Sequence, residues 1–291
     1  MSHELELVVL CDNHAQPELR AEHGLAIWLR AGQHNWLFDC GSGETLRHNA
    51  EQLGISLGDC QQVILSHGHQ DHSAGLAVLW QQGMVPVLAH PDAILPRYSR
   101  HPDKPVRSIG MPAAVVSQLW QLPEHCRQWS TTAVRLSAWM GTSGVIPRCH
   151  PDEDTGGPFF LDAAGLQIDE LQDDQAIWIN TAEGLIVLLG CCHAGLLNTI
   201  ARIRQLTGIE RIAGVIGGLH LLHACQARLQ HTLIELASIA PDFMYLGHCT
   251  GHEIIPQLQR ALPHSRIATM AAGCRYQFTP RPLRAASKDV L

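Results

Sequence analysis

The stretch Ser66-His67-Gly68-His69-Gln70-Asp71-His72 packs three imidazoles and a carboxylate into six residues. It follows the apolar run Val63-Ile64-Leu65, which has strand character. It leads into Leu76-Ala77-Val78-Leu79, which reads as helix. In extended backbone, side chains two apart point the same way, so His67 and His69 can grip one ion. Asp71 and His72 come as the chain turns and can face a second ion beside the first. Imidazole combined with carboxylate suits zinc, and also manganese or iron. Gly68 lets the backbone turn without a side chain in the way. Polar groups buried in such a cluster need partners, and a metal supplies them.

One turn of chain cannot complete two metal sites, so histidines at other strand ends are the natural partners. Gly190-Cys191-Cys192-His193 follows the apolar run 185–189. Gly217-Gly218-Leu219-His220 follows Val215-Ile216, and Gly247-His248 follows the run 243–246. Each places a histidine just past a strand end and near glycine. Any one alone is more often structural, but three in the same position point to a common rim. Ligands in layered α/β folds gather at such strand ends.

Working outward, residues 8–11, 26–31, 36–39, 63–66 and 86–90 read as strands, and 44–53 as a helix. From about residue 91 to 169 the texture changes. Prolines recur, periodicity is weak, and Trp120, Trp129 and Trp139 are scattered through it. This segment is expected to be a Pro-rich cap inserted into a single domain, closing over the metals with its tryptophans offered to a flat ring. Strands return at 176–180, 185–190, 211–216 and 243–247, with helices at 196–206 and 227–239. Strands first in bulk, then strands alternating with helices, suit two sheets packed between helical layers.

With 291 residues and 46% hydrophobic composition, the chain can bury a large core. The net charge of −7 and the lack of a Lys/Arg cluster speak against nucleic acid as a partner. The 10 cysteines include no C-x-x-C pair, which argues against a thioredoxin-like motif or a zinc ribbon. No basic stretch precedes an apolar one at the start, and no apolar run is long enough to span a membrane. A cytoplasmic protein with reduced thiols is expected, acting on a small molecule without membrane or nucleic-acid partners; a homo-oligomer remains open.

His-x-His-x-Asp-His resembles the metal signature of the metallo-β-lactamase superfamily. Further motifs narrow the resemblance: Cys11-Asp12-Asn13, Glu22-His23-Gly24-Leu25, Leu37-Phe38-Asp39-Cys40-Gly41, Asp173-Asp174-Gln175-Ala176, Gly190-Cys191-Cys192-His193-Ala194-Gly195, Gly217-Gly218-Leu219-His220-Leu221 and Gly247-His248-Cys249-Thr250-Gly251. Together they resemble the branch that includes the methanogen 7,8-dihydropterin-6-methyl-4-(β-D-ribofuranosyl)aminobenzene 5'-phosphate synthase. The match runs over residues 5–278. Cys40, Ala74 and Cys192 depart from that branch, where Thr, Gly and Ser are usual; none removes a metal-ligand candidate, but they leave the substrate open.

The resemblance implies an αββα sandwich of class α/β with two metal ions, zinc first, between the sheets. It implies His67, His69 and His193 for one ion and Asp71, His72 and His248 for the other, with Asp71 and His193 as catalytic residues. His193 stands in for the histidine that many superfamily hydrolases carry at the place of Asp174 and Gln175. His220, Asp39, Asn13, His23 and Asp174 are assigned to substrate contact or to support of the ligands, with His220 the rival of His248 as final ligand. Two reactions stay open: hydrolysis of a phosphorylated or pterin-like anionic molecule, and a dihydropterin-type synthesis in which the metals bind a diphosphate leaving group. The competing readings are a binding protein that keeps the fold without turnover and, more remotely, a nuclease.

Overall fold

The computed structural model describes residues 4–283. The first half runs β1 (Leu5–Cys11), β2 (Ala26–Ala31), β3 (His34–Phe38), α1 (Leu46–Gln52), β4 (Gln62–Ile64), α2 (Gln70–Ser73), α3 (Leu76–Trp80) and β5 (Val87–Ala89). The middle holds β6 (Tyr98–Ser99), β7 (Arg107–Ser108), α4 (Ala113–Gln121), β8 (Arg127–Trp129), β9 (Met140–Thr142) and β10 (Phe159–Phe160). The second half runs β11 (Ile177–Asn180), β12 (Leu185–Leu188), α5 (Leu196–Thr207), β13 (Ile212–Gly217) and α6 (Gln226–Ile239). It ends with β14 (Phe243–Leu246), α7 (Ile254–Ala261), β15 (Arg266–Thr269) and β16 (Arg275–Phe278).

Alternation along the strands builds the layers. In β1, Leu5, Leu7 and Val9 face one core, while Val8 and Leu10 face another. In β12, Ile186 and Leu188 share the first core with β1, while Leu185 and Val187 face a third. The shared core lies between a seven-stranded sheet, ordered β16-β1-β2-β3-β4-β5-β8, and a six-stranded sheet, ordered β15-β14-β13-β12-β11-β9. Leu46 of α1, Leu76 and Leu79 of α3, and Val115 and Leu119 of α4 cover the outside of the first sheet. Ile200 of α5, Leu229 and Leu236 of α6, and Leu258 of α7 cover the second. The result is the αββα sandwich.

Strands β3, β4, β5 and β8 run parallel to one another, as do β12 to β15. Asp39, Ser66, His193, His220 and His248 all follow C-terminal strand ends. Gln175 stitches the two sheets together at that margin. Its N–H donates to the Ser66 carbonyl at 2.9 Å and its Nε2 to the Leu65 carbonyl at 2.8 Å.

The segment 91–169 is not one inserted cap. Its middle belongs to the sandwich: β8 extends the first sheet beside β5, α4 covers that sheet, and β9 forms the edge of the second sheet. Only the flanking pieces lie outside, joined as a three-stranded sheet ordered β10-β6-β7. The tryptophans do not line the strand-end cleft. Trp120 and Trp129 pack on each other at 5.9 Å on the helical side of the first sheet. Trp139 meets Trp36 edge-on at 6.2 Å, and its carbonyl accepts from Asn180, at the end of β11 away from Gln175. Trp129 and Trp139 pack, partly buried, against the hydrophobic layers, and Trp120 on α4 stays exposed, because the segment supplies strands and a helix to the sandwich.

Arg97 pins the outer sheet down. Its side chain is 1% exposed, with Nε 2.8 Å from Asp169 and Nη1 2.7 Å from Asp173. Asp173 also accepts from the Gly68 N–H at 2.7 Å, so the same carboxylate holds the turn between His67 and His69. Among the described residues no helix is long and apolar enough to cross a membrane. All 10 cysteines are free thiols.

Removing one partner of a buried ion pair strands the other charges. Arg97→Ala is expected to destabilise the protein by about 3–5 kcal/mol in denaturant unfolding. A loss below about 1 kcal/mol, the range of a surface pair, would contradict this.

Candidate metal centre

Asp39 follows β3 at φ 57° and is fully buried. Its Oδ1 accepts from the Ser66 N–H at 2.7 Å, and its Oδ2 accepts from the Ser66 hydroxyl at 2.7 Å. His72 Nδ1 lies 2.7 Å from the same Oδ2. A carboxylate only accepts, so His72 carries its proton on Nδ1 and turns a lone pair outward at Nε2. The Ser66 hydroxyl, having donated to Asp39, accepts from His67 Nδ1 at 2.8 Å, which frees His67 Nε2 in the same way.

The other imidazoles are oriented alike. His193 Nδ1 lies 2.7 Å from the Thr155 carbonyl, which accepts its proton. His248 Nδ1 donates to Asn13 Oδ1 at 3.0 Å. The Asn13 amide is fixed in that sense because its Nδ2 donates to the His248 carbonyl at 3.3 Å. Asp12 accepts from the His248 N–H at 2.9 Å.

Two groups of free donors result. His67 Nε2 lies 3.0 Å from His69 Nδ1, and with His193 these form one set whose donor atoms lie within 4.8 Å of one another. His72 Nε2 lies 3.1 Å from His248 Nε2. Asp71 Oδ2 is 3.4 Å from His248 Nε2, 3.7 Å from His72 Nε2 and 3.3 Å from His23 Nε2. The Nε2 atoms of His69 and His193 are buried without any hydrogen-bond partner. Imidazole nitrogens crowded to about 3 Å, two others buried without a partner, and a carboxylate beside them are satisfied together by cations, so this donor set fits metal ions.

Electrostatics agrees for the first group. Burial pushes His67 and His193 well below the ordinary imidazole range, helped by their neighbouring imidazoles. Burial, with Arg97 next, brings His69 to about 3. All three are neutral, as ligation requires. Burial opposes charge on Asp71, yet His72 and His248 hold its carboxyl well below the usual range. His248 differs: burial works against its charge, but Cys249 and Asp71 carry its pKa up to about 9.

The remaining candidates are placed as follows. His220 is not with Asp71 and His72; it stands beside His193, with ring centroids 4.4 Å apart, and shares a donor set with Cys191 and His193. His23 is largely exposed and closes the solvent side of Asp71. Asp174 is buried, accepts from the Ala194 N–H at 2.7 Å, and is raised to about 7 by burial. It holds the turn that carries His193. Sequence reasoning missed Asp12, Arg97, Thr155, Asp173 and Phe159. The Phe159 ring lies 5.3 Å from both His69 and His193 and 6.0 Å from His220, making it the aromatic face at the cleft. Its signal was an aromatic pair following Gly156-Gly157-Pro158. Thr155 acts through its carbonyl, so its side chain gives no sign of the role.

Two glycines are explained by close approach. A Cβ at Gly68 would lie 2.0 Å from the Ala93 carbonyl oxygen, and one at Gly190 would lie 2.1 Å from Ser66 Oγ. Asp39, Cys192, His220 and His248 all hold positive φ, between 47° and 61°. Each costs about 1 kcal/mol or more, and all four lie at strand ends around the centre.

Comparison with known proteins agrees with this fold. The sequence model of the metallo-beta-lactamase superfamily matches residues 19–145. The 7,8-dihydropterin-6-methyl-4-(beta-D-ribofuranosyl)-aminobenzene-5'-phosphate synthase of Methanocaldococcus jannaschii is 26% identical over 251 residues, 79% of this chain and 82% of the relative. Protein MJ0448 of the same organism is 28% identical over 256 residues, 87% of this chain and 93% of the relative. Among solved structures, Tm1679, described as a metal-dependent hydrolase of the beta-lactamase superfamily, superposes with a TM-score of 0.80. It is 26% identical, with 94% of this chain and 99% of that one covered.

Asp39→Asn tests the orienting role of the carboxylate. An amide nitrogen facing His72 Nδ1 forces the imidazole proton to Nε2 and removes the lone pair from the cluster. Metal affinity is expected to fall about 10–100-fold with the fold intact. Unchanged affinity in a zinc titration would contradict it.

Proposed function

We propose that the chain is an enzyme of the metallo-beta-lactamase superfamily with a dinuclear metal centre, zinc first, a reading supported by the family match over residues 19–145 and by the likeness to Tm1679. Its substrate is a phosphorylated or pterin-like anionic small molecule. The observation that carries this reading is the pair of imidazole contacts at 3.0 and 3.1 Å, with the opposite ring nitrogens of His67, His72 and His248 committed to other partners.

His67, His69 and His193 would hold one ion, and Asp71, His72 and His248 the other. Such ions act as Lewis acids, lower the pKa of coordinated water to about 7, and offset charge that develops on a phosphoryl oxygen. The chain's own groups supply position. Asp71 keeps 14% of its side chain exposed and is the donor open to the cleft, placed to orient the incoming nucleophile. His193 meets the substrate side beside Phe159 and His220. Phe159 offers a flat apolar face suited to a ring and shields the cleft from water. His23 beside Asp71, and the recess lined by Asn13, His14 and His252, offer imidazole and amide donors to an anionic group.

The two reactions share this machinery and differ in the acceptor. Similarity to a protein described as a hydrolase supports water, and similarity to a synthase supports a second organic substrate. Zinc- or manganese-loaded protein, incubated with phosphoesters and with a dihydropterin diphosphate, separates them. Phosphate release without a second substrate indicates hydrolysis. Diphosphate release that requires an aminobenzene ribofuranosyl phosphate indicates synthesis. Absence of turnover in fully loaded protein would favour a binding protein.

His67→Ala and His69→Ala are each expected to lose metal and more than about 100-fold in rate while circular dichroism shows the fold retained. Unfolding of either variant would make the site mainly structural.

The two ions are expected to leave at different pH. A protonated imidazole cannot ligate, so affinity falls with pH below the ligand's own pKa. That value is about 9 for His248 but far lower for His67, His69 and His193. Metal content measured after equilibration at falling pH should drop to one ion per chain before reaching zero. Simultaneous loss of both would contradict the assignment.

A further inference from the structure

Cys191 lies between the two donor groups. It follows β12 and Gly190, is 3% exposed, and places Sγ 3.1 Å from His72 Nε2. Its sulfur lies within 4.8 Å of donor atoms in three separate sets: with His67 and His72, with His193 and His220, and with His248 and Cys249. His67 and His193 belong to the first group, and His72 and His248 to the second. Among the described residues no other sulfur stands beside donors of both.

We propose that Cys191 is a metal ligand, its thiolate shared by the two ions. The inference rests on the dinuclear reading and extends it. Charge is the first argument. The six donors of the two groups are five neutral imidazoles and one carboxylate, so two divalent ions would carry excess positive charge in a buried site. Asp39 offsets part of this through His72. A thiolate between the ions offsets more, where the Coulomb energy is largest.

Donor direction is the second argument. Cys192, the next residue, takes φ 61° and turns its side chain into the core beneath α5, with Sγ 3.8 Å from Thr199 Oγ1. The backbone thus sends one of two adjacent cysteines to the hydrophobic layer and the other to the metals. The unpartnered, fully buried Nε2 of His193 faces the same space. Gly190 is required behind Cys191 because a Cβ there would strike Ser66 and approach Asp39 at 3.1 Å. Cys249 stands at the rear, its Sγ 3.6 Å from the Cys191 carbonyl, and is the rival thiol.

Coordination replaces the S–H bond with sulfur–metal bonds, and the proton leaves to solvent. Thiolate also donates more charge than water or imidazole, so the centre becomes a weaker Lewis acid than one ligated by nitrogen and oxygen alone.

Cobalt-substituted protein reads this directly. Apo-protein loaded with Co²⁺ should show a near-ultraviolet thiolate-to-cobalt charge-transfer band. The band should be lost in Cys191→Ser and retained in Cys249→Ala and Cys192→Ala. Cys191→Asp, which returns an anion to the position, should keep two cobalt ions without the band. Two cobalt ions bound by the wild type with no such band would overturn the assignment and leave the dinuclear reading standing. A band that survives Cys191→Ser, or that follows Cys249, would overturn it as well. Failure of cobalt to bind at all would overturn the metal reading and this assignment with it.

Discussion

A buried carboxylate that accepts three hydrogen bonds organises the centre. Asp39 holds Ser66 by both its N–H and its hydroxyl, and it holds His72 by Nδ1. Through Ser66 it also sets the ring of His67. One carboxylate therefore decides which nitrogen of two imidazoles is free, and so where donor atoms converge. The same logic recurs with Thr155 behind His193 and Asn13 behind His248. In these four imidazoles the inward-facing nitrogen is available because the opposite one has been committed elsewhere.

This arrangement depends on the sandwich. Parallel strands β3 and β4 in one sheet and β12, β13 and β14 in the other bring their C-terminal ends to one margin. Residues 39, 66–72, 190–193, 217–220 and 247–248 meet there from five separate strand ends. The backbone takes positive φ at Asp39, Cys192, His220 and His248, all around this margin. Three hydrophobic layers must offset that strain, and the outermost sheet is tied in by Arg97 through Asp169 and Asp173.

Much of the site was legible because its chemistry is local. His67, His69, Asp71 and His72 lie in one short run, and His193, His220 and His248 repeat a pattern of strand, glycine and histidine. The strands of the cores were legible from alternation. What was not legible depends on pairing across the chain. The cap was misread because β6, β7, β8, β9 and β10 hold only two or three residues each, too few to show a period. Ring chemistry alone points the tryptophans to the cleft, whereas packing holds Trp129 and Trp139 against the layers and leaves Trp120 exposed on α4. Asp12 and Asp173 stand in motifs of the sequence, but their acceptor roles toward His248 and Gly68 come only from pairing across the chain. Strands β15 and β16 carry mixed burial and went unread.

On the proposed reading two metal ions lie between the sheets, one in each donor group. Anomalous diffraction from crystals of the zinc-loaded protein, collected on either side of the zinc edge, tests it most directly. Two peaks are expected, one bounded by His67, His69 and His193 and one by Asp71, His72 and His248, with nitrogen ligands about 2.0–2.1 Å away. A single peak, or density placed away from these six side chains, would contradict it.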